Sequence, residues 1–344
     1  MVKMWQEIFE QPQVLKRCLK DNDTMMDQVV GEIERRQINN VVIAARGTSD
    51  HAGIYGKYIM EYALGLPVAL AAPSIVTMYN RDLKLQNSLV IGISQSGKAE
   101  DVRAVIDNAK KQGALAITIT NDDQSPLAKA ADYHLYTNAG LEESVAATKT
   151  FTSQMMMLAL LVAKWAKDDA FRKELCNIPE QMEQVLALAD PIIERVQRYR
   201  YMEDCFVLSR GVNYAIALEG SLKIQETTYV RAKGYAISDF HHGPFAMIED
   251  DTPVIVYAPE GPSKADAKEM LEKLRSVHAE IIVITNAKDM GDDVITFMIP
   301  ETDNDMITPF YNVVWAQMFA CQLALAKGHN PDQPRGLKKV TITR

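Results

Sequence analysis

Short runs of β-branched residues, each followed by a turn of small residues and an amphipathic segment, recur along this chain. Asn40–Ala45 precedes the turn Arg46–Ser49, and Ser88–Ile93 precedes the turn Ser94–Gly97. Runs that are apolar at every position are typical of strands covered on both faces, as in parallel sheets. The alternation of such strands with helices predicts a doubly wound α/β fold.

The second half of the chain repeats the first in form. Its first apolar run ends in Arg210–Asn213, which is similar to Arg46–Ser49 in the first half. The length of 344 residues is about twice the ~150 residues typical of one domain. We therefore predict two tandem doubly wound parallel-sheet (αβα) domains, residues 1–195 and 196–344.

Three other segments carry weaker patterns. Glu7–Leu19 contains Pro12 and predicts an extended lead-in followed by a short helix. A long helical segment from Met155 to about Arg200 is predicted to connect the two halves. At the C-terminus, Val340–Thr343 has the alternation of a short strand.

Charge and hydropathy exclude several classes of function. The formal net charge of −8 argues against nucleic acid or an anionic membrane as the main partner. The apolar run Met155–Ala163 is far shorter than the ~18 residues that a membrane span needs, and the N-terminus lacks the apolar region of a secretory signal. We therefore predict a cytoplasmic protein. The four scattered cysteines predict small buried side chains rather than disulfides or a zinc site: Cys18, Cys176, Cys205 and Cys321.

Hydroxyl side chains follow two of the predicted strands. Thr48 and Ser49 follow the first, and Ser94, Gln95 and Ser96 follow the second, before Gly97. Ligands of open parallel sheets bind outside the carboxyl ends of the strands, where helix N-termini offer backbone N–H groups to anions. The arrangement suits a phosphate monoester, although the same residues could simply cap two helices.

Two nucleotide-binding patterns fail in this sequence. Gly92–Ala99 approaches the P-loop pattern, but Ala99 cannot supply the hydroxyl that ligates Mg²⁺. The Gly-x-Gly-x-x-Gly fingerprint of dinucleotide sites is absent from the strand ends. Neither a nucleotide triphosphatase nor a nicotinamide oxidoreductase is favoured.

A set of motifs in this order resembles the sugar isomerase (SIS) domain family, in particular its double-domain members such as the isomerase half of glucosamine-6-phosphate synthase and stand-alone glucosamine-6-phosphate deaminases. The resemblance covers essentially the whole chain and implies two SIS domains. The motifs are Arg46–Ser49, Ser94–Gly97, Asn138–Gly140 with Val145–Lys149, Ala217–Gly220 with Leu222-Lys223, His242–Pro244 and Asp332–Arg335.

The resemblance implies how the substrate is bound. Thr48, Ser94, Gln95 and Ser96 match the residues that hold the phosphate, and Ser49 matches one that lines the sugar pocket. Val145 matches a residue that contacts the sugar through its backbone, and Glu219 a second carboxylate of the pocket. Lys149, Glu142 and Glu143 are secondary candidates, and Lys149 could instead be a solvated helix charge.

Three further residues match catalytic positions of the family. Glu226 matches the carboxylate that moves a proton between C1 and C2, a task for which a partly desolvated base is suited. His242 matches the histidine that opens the sugar ring from a neighbouring subunit, which implies a homodimer or higher homo-oligomer. Lys339 matches a tail lysine that forms a Schiff base or contacts the open-chain sugar.

The reaction that we predict is deamination and isomerisation of an amino-sugar phosphate, such as glucosamine 6-phosphate, to fructose 6-phosphate and ammonia. No metal or organic cofactor is expected. We expect no glutaminase domain, because the first motif lies within about 45 residues of Met1, which Val2 follows instead of cysteine. Two alternatives remain open: a deglycase of fructoselysine- or glucoselysine-type 6-phosphates, and a phosphosugar sensor without catalysis.

Overall fold

The chain folds into two compact units, each built around one five-stranded parallel sheet. This computed structural model describes residues 2–291 and 293–339, so the predicted strand Val340–Thr343 lies outside the described residues. The predicted fold class is confirmed, whereas the domain boundary at residue 195 stays a prediction. The first-sheet unit comprises Glu10–Glu142, Ala147–Pro179 and the tail from Lys338; the second-sheet unit comprises the chain up to Phe9, Glu143–Ala146 and Glu180–Leu337.

Helices, rather than an extended segment, form the start of the chain. They are α1 (Lys3–Phe9), α2 (Gln11–Asp21) and α3 (Asp23–Arg36). The predicted extended lead-in is therefore wrong. Pro12 suggested it, because proline breaks a helix interior, but Pro12 lies in the first turn of α2, where its missing N–H is not needed.

The first sheet has the strand order β2-β1-β3-β4-β5, and all neighbouring strands are parallel. Its strands are β1 (Asn40–Ala44), β2 (Val68–Leu70), β3 (Ser88–Ile93), β4 (Leu115–Thr120) and β5 (Tyr133–Tyr136). Both β3 and β4 are buried at every position, as strands covered on both faces should be. The accompanying helices are α4 (Thr48–Leu64), α5 (Ser74–Thr77), α6 (Glu100–Lys111), α7 (Pro126–Ala130) and α8 (Lys149–Trp165), and α9 (Asp169–Leu186) then crosses into the other unit.

The second sheet has the order β10-β9-β8-β6-β7 and is also parallel throughout. Its strands are β6 (Asp204–Ser209), β7 (Arg231–Ala236), β8 (Pro253–Tyr257), β9 (Glu280–Thr285) and β10 (Ile295–Met298). Its helices are α10 (Ala189–Val196), α11 (Tyr214–Thr228), α12 (Ile237–Phe240), α13 (Lys264–Ser276) and α14 (Thr308–Ala326). Helix α11 packs against β7 and α14.

Every helix within residues 2–291 and 293–339 is too short or too polar to span a lipid bilayer. Three cysteines are buried as predicted, and burial raises the pKa of the Cys18 and Cys205 thiols to about 12. Cys176 differs from the prediction, because it lies exposed on α9.

Gly234 allows α11 to lie close to β7. A Cβ at this position would lie 2.6 Å from the carbonyl oxygen of Ala217 in α11. Because that oxygen belongs to a helix backbone and cannot turn aside, we expect Gly234→Ala to lower the free energy of unfolding by about 1–3 kcal/mol. Urea denaturation of the two proteins measures this difference.

Gly31→Ala is the matched control. Gly31 lies inside α3, and a Cβ there would meet no atom within 4 Å. Alanine should therefore raise the free energy of unfolding by about 0.5–1 kcal/mol through its better helix propensity. Equal stability of wild type and Gly234→Ala would contradict the packing described for α11.

Candidate functional site

The predicted phosphate-site residues gather at one edge of the first sheet. Strands β1 and β3 pair in parallel with Ala44 opposite Gly92, so the loops that follow them leave from the same edge. Five residues lie in these loops or at the helix start that follows, with Ser49 and Ser94 buried and the others partly exposed: Thr48, Ser49, Ser94, Gln95 and Ser96. The edge therefore offers hydroxyl and amide groups where an anion would approach two helix N-termini.

Glycines set the backbone of these loops, and the hydroxyls do not act as N-caps. The N-cap of α4 is Gly47, at φ +53°, and the N-cap of α6 is Ala99; neither makes a side-chain cap hydrogen bond. Gly97 has φ +63°, and a Cβ there would collide with the side chain of Ser125. The capping alternative is therefore not supported, since neither N-cap is a serine or threonine.

An ion pair that sequence reasoning missed joins the two loops. Arg46, in the loop after β1, donates to the carboxylate of Asp101 in the first turn of α6 at 2.7 Å. The Asp101 side chain is 3% exposed and the Arg46 side chain 44%, so a buried carboxylate holds the more exposed guanidinium in place. A corresponding pair occurs in the second-sheet unit, where Arg210 binds Asp266 at 3.0 Å.

Two predicted carboxylates share a buried lysine on α11. The Lys223 ammonium lies 3.3 Å from Glu219 and 2.5 Å from Glu226, because the spacings i+4 and i+3 put all three on one helix face. Burial alone would lower the pKa of Lys223, but the two carboxylates outweigh it and raise the pKa above its ordinary value. The lysine is therefore a fixed cation between the two acids.

Exposure separates the two carboxylates. The Glu219 side chain is 0% exposed, whereas that of Glu226 is 22% exposed. A substrate that approaches α11 from solvent could therefore reach Glu226 but not Glu219. Sequence reasoning named both acids but gave no role to Lys223, although the acid–lysine–acid spacing on one helix face was a usable signal.

His242 and Val145 also lie in the second-sheet unit. His242 follows α12 and is exposed, and its backbone N–H donates to the carbonyl of Asp239 at 3.0 Å. The N–H of Val145 donates to the carbonyl of Asp332 at 3.2 Å. Any backbone contact of Val145 with a sugar is therefore expected through its carbonyl oxygen.

The predicted tail lysine binds a buried carboxylate in the first-sheet unit. Lys339 donates to Glu142 at 2.6 Å, and the Glu142 side chain is 0% exposed. Glu142 also accepts the N–H groups of Thr148 and Thr150 at 2.9 and 3.1 Å, at the start of α8. Burial would raise the pKa of Glu142, but the charge of Lys339 and these hydrogen bonds outweigh it and hold the pKa below its ordinary value.

Lys149 and Glu143, two of the secondary candidates, each form an ion pair. Lys149 is 3% exposed and binds Glu10 at 2.5 Å, so the reading of Lys149 as a solvated charge is wrong. Glu143 is exposed and lies 2.9 Å from Lys3.

Within the part of the chain that the structure describes, no group of three or more His, Cys, Asp or Glu residues is placed to hold a metal ion.

The Glu142–Lys339 pair predicts a pH-dependent contribution to stability. Because the fold lowers the pKa of Glu142, the contribution is complete above the unfolded pKa of about 4.3 and is lost as the pH falls through the lower folded pKa. At pH 7 we expect Glu142→Gln to lower the free energy of unfolding by about 1–3 kcal/mol. Urea denaturation of both proteins at several pH values should show the difference shrinking in acid.

The control for this measurement is Asp107→Asn, which changes an exposed carboxylate on α6 of the same unit. It should differ little from wild type at every pH. A Glu142→Gln deficit that is equally large in acid would contradict the assigned ion pair.

Comparisons with known proteins agree with this architecture. The SIS domain matches residues 36–164 and 203–327. Glutamine–fructose-6-phosphate aminotransferase (isomerizing) of Pyrococcus horikoshii is 35% identical over 352 residues, which cover 98% of this chain and 57% of that protein. The chain thus spans little more than half the length of this relative.

Two solved structures are similar over nearly the whole chain. The C-terminal domain of glucosamine-fructose-6-phosphate aminotransferase from Francisella tularensis has a TM-score of 0.88 at 26% identity, covering 97% of this chain and 98% of that one. Glucosamine-6-phosphate deaminase from Thermotoga maritima shares the fold, with a TM-score of 0.78 at 23% identity and coverage of 99% and 100%. Since both sheets of the chain lie within segments that match the SIS domain, the chain belongs to the SIS domain family.

Proposed function

We propose that the protein is a phosphosugar isomerase that acts as a deaminase, converting glucosamine 6-phosphate and water to fructose 6-phosphate and ammonia. The observation that carries this proposal is the partly exposed carboxylate of Glu226, held at 2.5 Å by the buried ammonium of Lys223. Moving a proton between two carbons needs a base that is fixed in place and open to substrate on one side. Glu226 meets both requirements.

Phosphate binding is proposed at the carboxyl-end edge of the first sheet. Ser94 and Ser96 supply hydroxyl donors there, and the N-termini of α4 and α6 supply backbone N–H groups. Arg46 adds a positive charge that Asp101 holds in a fixed position. These groups suit a phosphate monoester without requiring a basic protein.

In the proposed mechanism, His242 moves the proton that accompanies opening of the sugar ring. Glu226 then removes the proton from C2 of the open-chain aldehyde, which leaves an enolamine across C1 and C2, and returns a proton to C1. The product of this step is a C2 imine with a C1 hydroxyl. Water adds to C2 of the imine and ammonia leaves, which yields the ketose.

Lys223 and Lys339 take supporting roles in this proposal. Lys223, held by Glu219 from its other side, keeps a positive charge beside Glu226. The Lys339 Nζ donates to the Glu142 carboxylate, so in this arrangement the nitrogen is occupied by a hydrogen bond. This favours contact with the open-chain sugar over Schiff-base formation.

Release of ammonia from glucosamine 6-phosphate in the absence of glutamine tests the proposed reaction. We expect stoichiometric formation of ammonia and fructose 6-phosphate by the purified full chain, since the proposed steps need only water as co-reactant. The specificity control is unphosphorylated glucosamine, which lacks the group bound by the first-sheet loops and should not react.

Other outcomes of this assay distinguish the alternatives. Turnover of a fructoselysine- or glucoselysine-type 6-phosphate with no ammonia release would identify a deglycase. Binding of phosphosugars without turnover of any of them would identify a sensor. Formation of glucosamine 6-phosphate from fructose 6-phosphate only when glutamine is added would indicate the opposite, synthetic direction of transfer.

The role of His242 across subunits predicts complementation between inactive variants. We propose that the exposed His242 serves a neighbouring copy of the chain. Glu226→Gln and His242→Asn should each lose turnover while still binding fructose 6-phosphate. After subunit exchange, a mixed dimer contains one site with both residues intact, so an equal mixture should recover about a quarter of wild-type activity.

Glu272→Gln is the control for these variants. Glu272 is exposed on α13 in the same unit, and the same substitution there should leave turnover unchanged. If the mixture stays inactive although mixed dimers form, His242 does not act across subunits. If Glu226→Gln retains turnover, Glu226 is not the base.

A further inference from the structure

The short segment Glu143–Ala146, which includes Val145, is held from both ends by the N-terminal helix and the C-terminal segment of the second-sheet unit. Glu7 of α1 accepts the N–H of Glu143, the N–H of Ser144 at 3.3 Å and the hydroxyl of Ser144. Two consecutive backbone donors and one side-chain donor thus converge on one carboxylate.

Asp332 ties the same helix to the same segment. Its carboxylate accepts the N–H groups of Lys3 and Met4 at 2.8 Å each, at the start of α1. Its backbone carbonyl accepts the N–H of Val145 at 3.2 Å. Helix α1 therefore carries an anchor at its start, through Asp332, and a second anchor near its end, through Glu7.

Burial explains why Glu7 can fix the segment. Glu7 is 4% exposed, and a buried carboxylate is costly unless hydrogen-bond donors surround it. Its donors belong to the residues immediately before Val145, so moving Val145 would strip the carboxylate of partners. The conformation of Val145 is thus coupled to a charge that needs its donors in place.

Glu7 lies outside the segments 36–164 and 203–327 that match the SIS domain. Helix α1 nevertheless packs against α14 of the second-sheet unit and belongs to that unit. The helix is therefore an integral part of the framework around Val145 rather than a leader to it.

We propose that Glu7 is a positioning residue for phosphosugar binding: its carboxylate fixes Glu143 and Ser144, and thereby aims the Val145 carbonyl at the sugar. This rests on the proposed function and on the backbone contact of Val145 with the sugar that the family resemblance implies. Glu7 does not touch the substrate itself, so its loss should weaken binding more than it slows the chemical step.

The test compares Glu7→Gln with wild type in two measurements, calorimetric binding of fructose 6-phosphate and steady-state kinetics. An amide keeps one acceptor oxygen but directs N–H groups at donors, so part of the anchor is lost. We expect the Kd for fructose 6-phosphate and the KM to rise about ten-fold, with kcat changed less than three-fold. This pattern is expected when the lost contact had stabilised the bound substrate and the transition state equally.

Glu280→Gln is the matched control. Glu280 is a mostly buried carboxylate of the same unit and also accepts three donors, two from Arg198 and one from the Tyr199 hydroxyl. Its loss should lower thermal stability as much as Glu7→Gln does, while the Kd and KM stay at wild-type values. A purely structural role for Glu7 would make the two variants behave alike.

Ser144→Ala gives a second, milder variant in case Glu7→Gln does not fold. It removes one donor to Glu7 and should raise the Kd by about three-fold, and in its background Glu7→Gln should cost less than in wild type. Additive effects, or a Kd unchanged in Ser144→Ala, would overturn the proposal.

The two proposals fail in distinguishable ways. If wild type neither binds nor turns over any phosphosugar, the proposed function fails and this inference falls with it. If wild type binds fructose 6-phosphate and Glu7→Gln binds it equally well with only reduced stability, the inference alone is overturned.

Discussion

Parallel pairing of β1 with β3 is the constraint on which the candidate site depends. It brings the carboxyl ends of both strands, and so the loops after them, to one edge of the first sheet. The Arg46–Asp101 ion pair then fixes one loop to the first turn of the helix that follows the other. Strands β6 and β8 pair in the same way and Arg210 binds Asp266, but the residues of this repeat that correspond to Thr48, Ser49, Ser94 and Ser96 carry no hydroxyl.

Buried charges define the rest of the chemistry, because each must have partners in place. The Lys223 ammonium pairs with Glu219 and Glu226 within one helix. Lys339 pairs with Glu142, which lies 197 positions away in the sequence. These networks each leave one group partly exposed, Glu226 in one and Lys339 in the other.

Sequence reasoning succeeded where a single local pattern was decisive. Strands β3 and β4 are buried at every position and consist mainly of apolar residues because both faces are covered, and this made them recognisable in the sequence. It missed β7, an edge strand containing Arg231, Lys233 and Gly234, because polar residues are tolerated where one side faces solvent. It also missed α14, because a helix buried all round shows no amphipathic period.

The candidate site divides in the same way. The loop hydroxyls were predictable, since they follow recognisable strands, and the roles of Glu226, His242 and Lys339 came from family resemblance. The helix spacing of Lys223 to Glu226 was a usable signal, but the partner of Lys339 was not predictable. Glu142 and Lys339 meet only through the fold, and Glu7 reaches Ser144 from a helix that the sequence did not predict.

We propose that only the first of the two repeats holds a phosphate. In the second repeat Val212 and Asn213 stand where the first has Thr48 and Ser49, and the Asn213 side-chain amide donates to the Thr308 hydroxyl at 2.7 Å. Ala258 and Glu260 follow β8 at the positions where Ser94 and Ser96 follow β3. The two positions correspond, because the N–H of Ala258 donates to the carbonyl of Ile284 in β9, just as the N–H of Ser94 donates to the carbonyl of Ile119 in β4. Glu260 puts a carboxylate, paired with Lys264 at 2.6 Å, where the first repeat has the Ser96 hydroxyl.

Calorimetric titration with fructose 6-phosphate tests this claim most directly, because it counts sites independently of turnover. The account predicts one molecule bound per chain, with binding weakened in Ser94→Ala. Two molecules per chain, or undiminished binding by Ser94→Ala, would contradict it.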